Sequence, residues 1–329
     1  MRKTALTGAA VLVALALSAL TGCSGADRGE GAHRPSGTGG TRDPGGTHGP
    51  GGSHGSEGTA SGSARPSAPG SSSPPATGRP APSAASGSAT ASGGPRTARW
   101  RPRPGLAWQW QLDGRVDPSA DVPVYDIDGF ENSAADVARL HRAGRKVICY
   151  VNVGSWEDFR PDKDAFPRSV LGAANGWKGE RWLDIRRVDV LRPLMERRFD
   201  MCRDKGFDAV EPDLVEGYGN HTGFPLTARD QLRYNRMIAA IAHERGLSVG
   251  LKNDLPQIPQ LVGDFDFAVN EECAQYGECA RLTPFVAAGK AVFHVEYAEP
   301  TSSFCAESRR LRLSSMRKKP ELGVWRKAC

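Results

Sequence analysis

The stretch from Ser24 to Gly105 contains no Ile, Leu, Val, Met, Phe or Tyr. It has almost nothing to bury, so packing cannot offset the entropy of ordering it. Its Gly, Ser, Pro, Ala and Thr content is that of a flexible, disordered linker. All 11 Phe, 7 Trp and 6 Tyr lie at or after Trp100. The 329 residues therefore hold one packed domain, expected over 104–329, and not two.

Residues 1–22 read as an export signal. Arg2 and Lys3 precede the apolar run Ala5 to Leu20, which is short for a membrane span. The ending Leu20-Thr21-Gly22-Cys23 resembles the bacterial lipobox, in which the cysteine becomes the lipidated first residue. An ordinary signal peptide or an uncleaved anchor are the alternatives. The expected organisation is a lipoprotein signal peptide (1–22), a tether (23–103) and a monomeric folded domain (104–329). The protein is expected outside the cell, held on the outer side of the membrane through a lipid on Cys23, or secreted.

The formal charge of +6 belongs to the leader and tether. From Leu106 onward 33 acidic residues face 32 basic ones, so the domain has no electrostatic footprint for nucleic acid. Apart from Cys23, six cysteines remain, an even number that suits disulfides in an exported chain. Among 15 possible connectivities, the expected one is Cys149–Cys202 (strand to helix), Cys273–Cys279 (a short loop) and Cys305–Cys329 (tying the C-terminus). There is no Cys-x-x-Cys pair to suggest zinc.

From Leu106 the chain alternates short apolar runs with helical patterns. Strands are expected at Leu106–Leu112, Val122–Asp128, Lys146–Asn152, Phe207–Asp213, Leu247–Asn253, Phe265–Glu271, Ala291–Tyr297 and Leu322–Arg326. Helices are expected at Ser133–Ala143, Asp189–Lys205 and Thr227–Arg245, each followed by Gly. Eight strands with intervening helices predict an α/β fold, a (β/α)8 TIM-type barrel. A doubly wound sheet would usually carry a Gly-rich phosphate loop, and neither Gly-x-Gly-x-x-Gly nor a Walker loop is present.

In such a barrel all strand C-termini open on one face, where the active site sits. The predicted strands close on Asp126 and Asp128, on Tyr150 and Asn152, on Glu211 and Asp213, on Lys252 and Asn253, on Asn270, Glu271 and Glu272, and on Glu296 and Tyr297. Taken singly, each acid or amide could merely start a turn or cap a helix. Together they suggest a polar mouth. Two acids without a Gly-x-Ser-x-Gly elbow point to glycoside hydrolysis, in which one carboxyl protonates the leaving oxygen and the other attacks or activates water. A magnesium or calcium site is the metal alternative; no metal and no cofactor are expected. Asp126, Asp128, Tyr150, Asn152, Lys252, Asn253, Glu296 and Tyr297 are candidate substrate contacts. Tyr218 and Tyr276, in polar loops after acidic strand ends, are candidates for stacking on sugar.

The opening Trp108-Gln109-Trp110-Gln111-Leu112, the run Gly206-Phe207-Asp208-Ala209-Val210-Glu211-Pro212-Asp213, Gly250-Leu251-Lys252-Asn253 and Asn270-Glu271-Glu272-Cys273 resemble glycoside hydrolase family 114, the endo-α-1,4-polygalactosaminidases, over about Trp108 to Glu299. The chain departs from that pattern at Leu214, where Asn is expected, and at Glu216, where Asp is more usual. The resemblance implies a barrel that cleaves α-1,4-linked galactosamine-rich polysaccharide with retention. It implies Asp213 and Glu271 as the catalytic pair, here read as nucleophile and acid/base. A galactosamine polymer is cationic, and an acidic mouth would attract it. A non-catalytic, lectin-like barrel that binds amino-sugar polymer is the alternative.

Overall fold

The computed structural model describes residues 99–329. The export segment, Cys23 and the tether up to residue 98 lie outside the described residues. Residues 99–103, assigned by composition to the tether, pack against the domain: Trp100 lies against Phe267, Ser248 Oγ donates to the Trp100 carbonyl, and Ala291 N donates to Pro102 O at 2.9 Å.

Eight parallel strands follow one another in a curled sheet. They are β1 (Trp108–Gln111), β2 (Val124–Asp128), β3 (Lys146–Asn152), β4 (Ala209–Asp213), β5 (Ser248–Lys252), β6 (Phe267–Glu271), β7 (Val292–Glu296) and β8 (Ser314–Arg317). Each is hydrogen-bonded in parallel to the next. Parallel neighbours in sequence order are the arrangement of a (β/α)8 barrel, and they bring every strand C-terminus to one rim. No backbone ladder joins β8 to β1 among the described residues. The C-terminal segment lies at this seam: Lys327–Ala328 pairs antiparallel with β8, and Leu112 N donates to Leu322 O at 3.0 Å.

The helices are α1 (Ala134–Arg142), α2 (Val188–Asp204), α3 (Ala228–Glu244), α4 (Ile258–Leu261), α5 (Thr283–Ala287) and α6 (Thr301–Arg310). Helices α1 and α3 start on capping boxes, Ser133 with Asp136 and Thr227 with Asp230, which satisfy N–H groups that the first turn leaves free. The expected ranges of α1, α2 and α3 hold to within a residue or two. Two features differ from expectation. The eighth strand is the polar run Ser314–Arg317, and Leu322–Arg326 is not a strand; Val324 and Trp325 are exposed there. The chain leaving α6 pairs with β7 by position, and the apolar run comes too late to do so. After β3 the chain also builds a small antiparallel sheet from Ser155–Glu157, Glu180–Leu183 and Leu171–Ala174.

Strand alternation sorts the core into two layers. Trp108, Trp110, Val124, Ile148, Ala209, Phe267, Val269, Phe293, Val295 and Met316 fill the barrel interior. Residues of the other parity, such as Tyr125, Ile127, Val147, Cys149, Val249 and Leu251, pack with the helices. Gly250 faces inward, and a Cβ there would lie 2.4 Å from the Phe267 ring, so glycine makes room for that aromatic plug. Three disulfides, Cys149–Cys202, Cys273–Cys279 and Cys305–Cys329, are present, the pairing expected from the sequence. They join β3 to α2, close the loop after β6 and tie the C-terminus to α6.

Candidate active site

At the C-terminal rim the inward-facing ends of β4, β5 and β6 converge. Lys252 Nζ lies 2.8 Å from Asp213 Oδ1, 3.1 Å from Glu271 Oε2 and 3.4 Å from Glu211 Oε1. It also sits 5.0 Å from the centre of the Trp110 ring. Tyr150 OH donates to Asp213 Oδ2 at 2.7 Å, and Tyr297 OH donates to Glu271 Oε1. Asn253 holds Glu271 from two sides: its amide donates to Oε2 at 3.3 Å, and its carbonyl accepts from Glu271 N at 3.0 Å. Asp213 and Glu271 share the Lys252 nitrogen, so their facing oxygens are at most about 6 Å apart, a bound that admits the roughly 5–5.5 Å of a retaining carboxyl pair.

The electrostatics follow from this geometry. Burial alone would push Asp213 up, but Lys252, the Tyr150 hydroxyl and the Leu214 N–H outweigh it and hold the carboxyl below its ordinary range. Burial likewise works against the Lys252 ammonium, yet Asp213, Glu271 and Glu211 raise its pKa well above the usual lysine value. Burial pushes Tyr150 and Tyr297 up, aided by Asp213 and Glu271 respectively, so both remain donors.

The backbone at these strand ends is unusual. Leu214, Asn253, Asp254 and Glu272 all have positive φ, between 47° and 60°. Leu214, Asn253 and Glu272 directly follow β4, β5 and β6, and Asp254 comes one residue later, so three strands leave the rim through left-handed residues beside the acids. Gly154 permits one such exit. A Cβ on it would lie 1.7 Å from Leu214 O, and its N–H donates to Asp213 O at 3.1 Å.

Several expected contacts are placed elsewhere. Glu296 is not at the mouth. Phe293 and Val295 point inward, so Glu296 has the outward parity; it is fully buried, accepting from His294 Nε2 at 2.8 Å and Ala274 N at 2.7 Å. Asp128 faces inward but is occupied by Arg160, at 2.7 Å, and by the N–H groups of Phe130 and Glu131. Asn152 is spent on Ser155 and Gly154, where it shapes the turn into the small sheet. Lys252 is only 2 % exposed and is held by three acids. Asp126 is 0 % exposed and lies inside the barrel, next to Trp110 in register. Tyr276 stands half-exposed on the loop closed by Cys273–Cys279, and Trp177 is exposed beyond the small sheet.

Asp254 and Asn235 carry no sequence signal strong enough to single them out; Tyr218, expected to stack on sugar, instead spends its hydroxyl on Asp254. Tyr218 OH donates to Asp254 Oδ1 at 3.2 Å, and Asn235 of α3 donates to Asp254 Oδ2 at 3.0 Å. Burial raises Asp254 to about 7. Among the described residues nothing hydrogen-bonds the buried Glu216 Oε2; burial, then Asp213, raises this carboxyl to about 8. The Lys-Asn-Asp run after a predicted strand was the one available hint of Asp254. A cavity of about 350 Å³ lined by Trp108, Arg309, Arg312, Ser314 and Arg326 lies at the opposite, N-terminal ends of β1 and β8, away from this cluster.

The profile of glycoside hydrolase family GH114 matches residues 89–329. No curated protein matches the chain. Among solved structures, Ega3 of Aspergillus fumigatus, in complex with galactosamine, is 42 % identical, with a TM-score of 0.67, covering 71 % of this chain and 98 % of that one. The glycoside hydrolase domain of PelA from Pseudomonas aeruginosa has a TM-score of 0.54 at 14 % identity, over 67 % of this chain and 97 % of that one; it is a likeness of fold.

Proposed function

The chain belongs to glycoside hydrolase family GH114 and is a glycoside hydrolase, and we propose that it is an exported, endo-acting enzyme that cleaves α-1,4-linked galactosamine-rich polysaccharide with retention, using Asp213 and Glu271. One observation carries the assignment of the pair: the two carboxylates end β4 and β6 and meet on one buried ammonium, Lys252. Galactosamine in the related Ega3 structure supports the substrate class.

In this reading Asp213, kept ionised by Lys252 and Tyr150, attacks the anomeric carbon. Glu271 gives its proton to the glycosidic oxygen as the bond from that oxygen to the anomeric carbon breaks. Water then cleaves the glycosyl ester, Glu271 takes its proton, and Asp213 leaves as carboxylate. Tyr297 and Asn253 fix the Glu271 carboxyl in both steps. The half-exposed Tyr276 offers a face for stacking on a neighbouring sugar. Three disulfides suit an oxidising, extracellular setting, and no helix among the described residues is long and apolar enough to cross a membrane. Lipid on Cys23 and a tether to about residue 98 would hold the monomeric barrel at the cell surface.

The deciding experiment is release of reducing ends from partly deacetylated galactosaminogalactan, with and without EDTA. Cleavage unaffected by EDTA is the expected result. Binding without cleavage would mean a lectin, and loss with EDTA would mean a metal-dependent reaction.

A further inference from the structure

Beneath Lys252, inside the barrel, lie two carboxyl groups that the reaction above does not use. Asp126 of β2 and Glu211 of β4 are each 0 % exposed. Glu211 Oε2 accepts from Trp110 Nε1 at 3.0 Å, while Oε1 faces Lys252 Nζ at 3.4 Å and has no hydrogen-bond partner among the described residues. Among the described residues, neither oxygen of Asp126 receives a hydrogen bond from an N–H or hydroxyl group. Asp126 stands in register with Trp110, whose indole N–H bonds Glu211, so the two carboxyls lie against one ring, and the electrostatics pair Asp126 with Glu211.

Two carboxylates touching in a dry interior cannot both ionise, and a proton held between them turns repulsion into a hydrogen bond. We propose that Asp126 and Glu211 share one proton and act as a single buried anion that positions the Lys252 ammonium between Asp213 and Glu271. These two are positioning residues, since neither reaches the mouth.

Every strand that faces Lys252 bears on the argument. Trp110 comes from β1, Asp126 from β2, Tyr150 from β3, Glu211 and Asp213 from β4, Glu271 from β6 and Tyr297 from the end of β7; β8 supplies the apolar Met316. The pair supplies the one anionic group below the ammonium. Without it Lys252 is pulled only toward Asp213 and Glu271, and its distance to each changes. Direction of titration agrees: burial raises Asp126 well above the ordinary aspartate value, with Glu211 adding to it, while Lys252 restrains the rise at Glu211. Lys252 Nζ and the Trp110 N–H both face Glu211, and among the described residues no N–H or hydroxyl faces Asp126, so the charge belongs to Glu211 and the shared proton mainly to Asp126.

The turnover arm of the test rests on the proposed glycosidase reading; the spectroscopic arm does not. An infrared difference spectrum between the wild type and Asp126→Asn at neutral pH should show one protonated-carboxyl stretch lost in the variant, the stretches of other protonated carboxyls such as Glu216 cancelling. A difference spectrum without that band overturns the shared proton whether or not the substrate has been chosen correctly. On polymer, Glu211→Gln removes the charged member. Its kcat should fall by roughly tenfold or more with little change in KM, because the pair does not touch sugar. Its alkaline limb should also move to lower pH, because an ammonium that loses a neighbouring anion gives up its proton more readily. In Asp126→Asn the amide N–H can take the place of the shared proton and the charge on Glu211 stays, so the loss should be several-fold smaller. Equal losses in the two variants that follow their melting temperatures, with an unmoved pH profile, would reduce the pair to packing and overturn the positioning role. A wild-type protein that fails to cleave the polymer while retaining the infrared signature would count against the substrate reading and leave the buried pair standing.

Discussion

Asp213, Lys252 and Glu271 occupy the inward positions at the ends of β4, β5 and β6, so removal of either acid tests chemistry with little change in shape. Asp213→Asn and Glu271→Gln should each lower kcat on the order of 10³-fold while leaving the melting temperature within a few degrees. Azide should restore some cleavage to one of them, the variant whose missing step it bypasses. Near-normal reducing-end release in either variant would break the assignment. The neighbouring Leu214 carries a different signature. With φ at 58°, a leucine holds a left-handed conformation that Asn adopts more easily. Leu214→Asn should recover about 1 kcal/mol, which for a domain of this size raises the melting temperature by ~2–4 °C; an unchanged or lower value would locate the strain elsewhere. Glu216 predicts a pH effect. Its folded pKa of about 8 lies above the ordinary value of 4.5, so the folded state holds a proton that the unfolded chain has released. Stability from this group is intact below about pH 4.5 and is lost as pH rises through about 8. Melting curves at pH 5 and pH 8 should therefore differ more in the wild type than in Glu216→Gln; equal differences would contradict the raised value. The candidate acids were legible in the sequence because they close predicted strands. Asp254 and Glu216 were not, since each matters through neighbours brought in by other elements.

At the scale of elements, parity explains both the successes and the misses. Counting in twos from the apolar residues of a strand tells which ends face inward, and Asp213, Lys252 and Glu271 follow that rule. Glu296 fails it by one residue: it sits beside His294 under α6, while Tyr297 turns in to reach Glu271. A short apolar run reveals a strand but not its inner face until neighbours are in register. The eighth strand was missed for a related reason, since Ser314–Arg317 is polar and Ser315 finds its partner in His294 of β7. Cross-links between elements predict an order of stabilities. The sequence separations are 53 for Cys149–Cys202, 24 for Cys305–Cys329 and 6 for Cys273–Cys279. A longer closed loop removes more entropy from the unfolded chain. Paired Cys→Ala replacements should therefore destabilise in that order, with the first costing about 2–5 kcal/mol in denaturant titrations. A reversed order would show that local packing dominates loop closure.

For the whole molecule the boundary of the folded part is the measurable quantity. Trp100 packs on Phe267, Arg99 lies 3.7 Å from Asp266, and Pro102 is hydrogen-bonded to Ala291. Limited proteolysis of the mature protein should therefore stop at a resistant core beginning near Arg99. Lasting protection of the segment before Arg96 would contradict the tether reading. Cys23→Ala should move the protein from the membrane fraction to the medium, and unchanged fractionation would remove the lipid anchor.

Composition and periodicity by themselves determined that strands and helices alternate through the folded domain and that carboxylates, amides and tyrosines close the strands. These are local properties: an apolar run, a capping box or a strand-ending acid is complete within a few residues. Tertiary structure alone decided which of those polar ends meet. Lys252 reaches three acids from two other strands, Asp128 is withdrawn by Arg160 from a loop, and Asp126 and Glu211 are buried together beside Trp110 inside the barrel although β3 lies between their strands. The charge state and task of a carboxyl depend on what stands within a few ångströms of it, and that distance exists only once the sheet has curled.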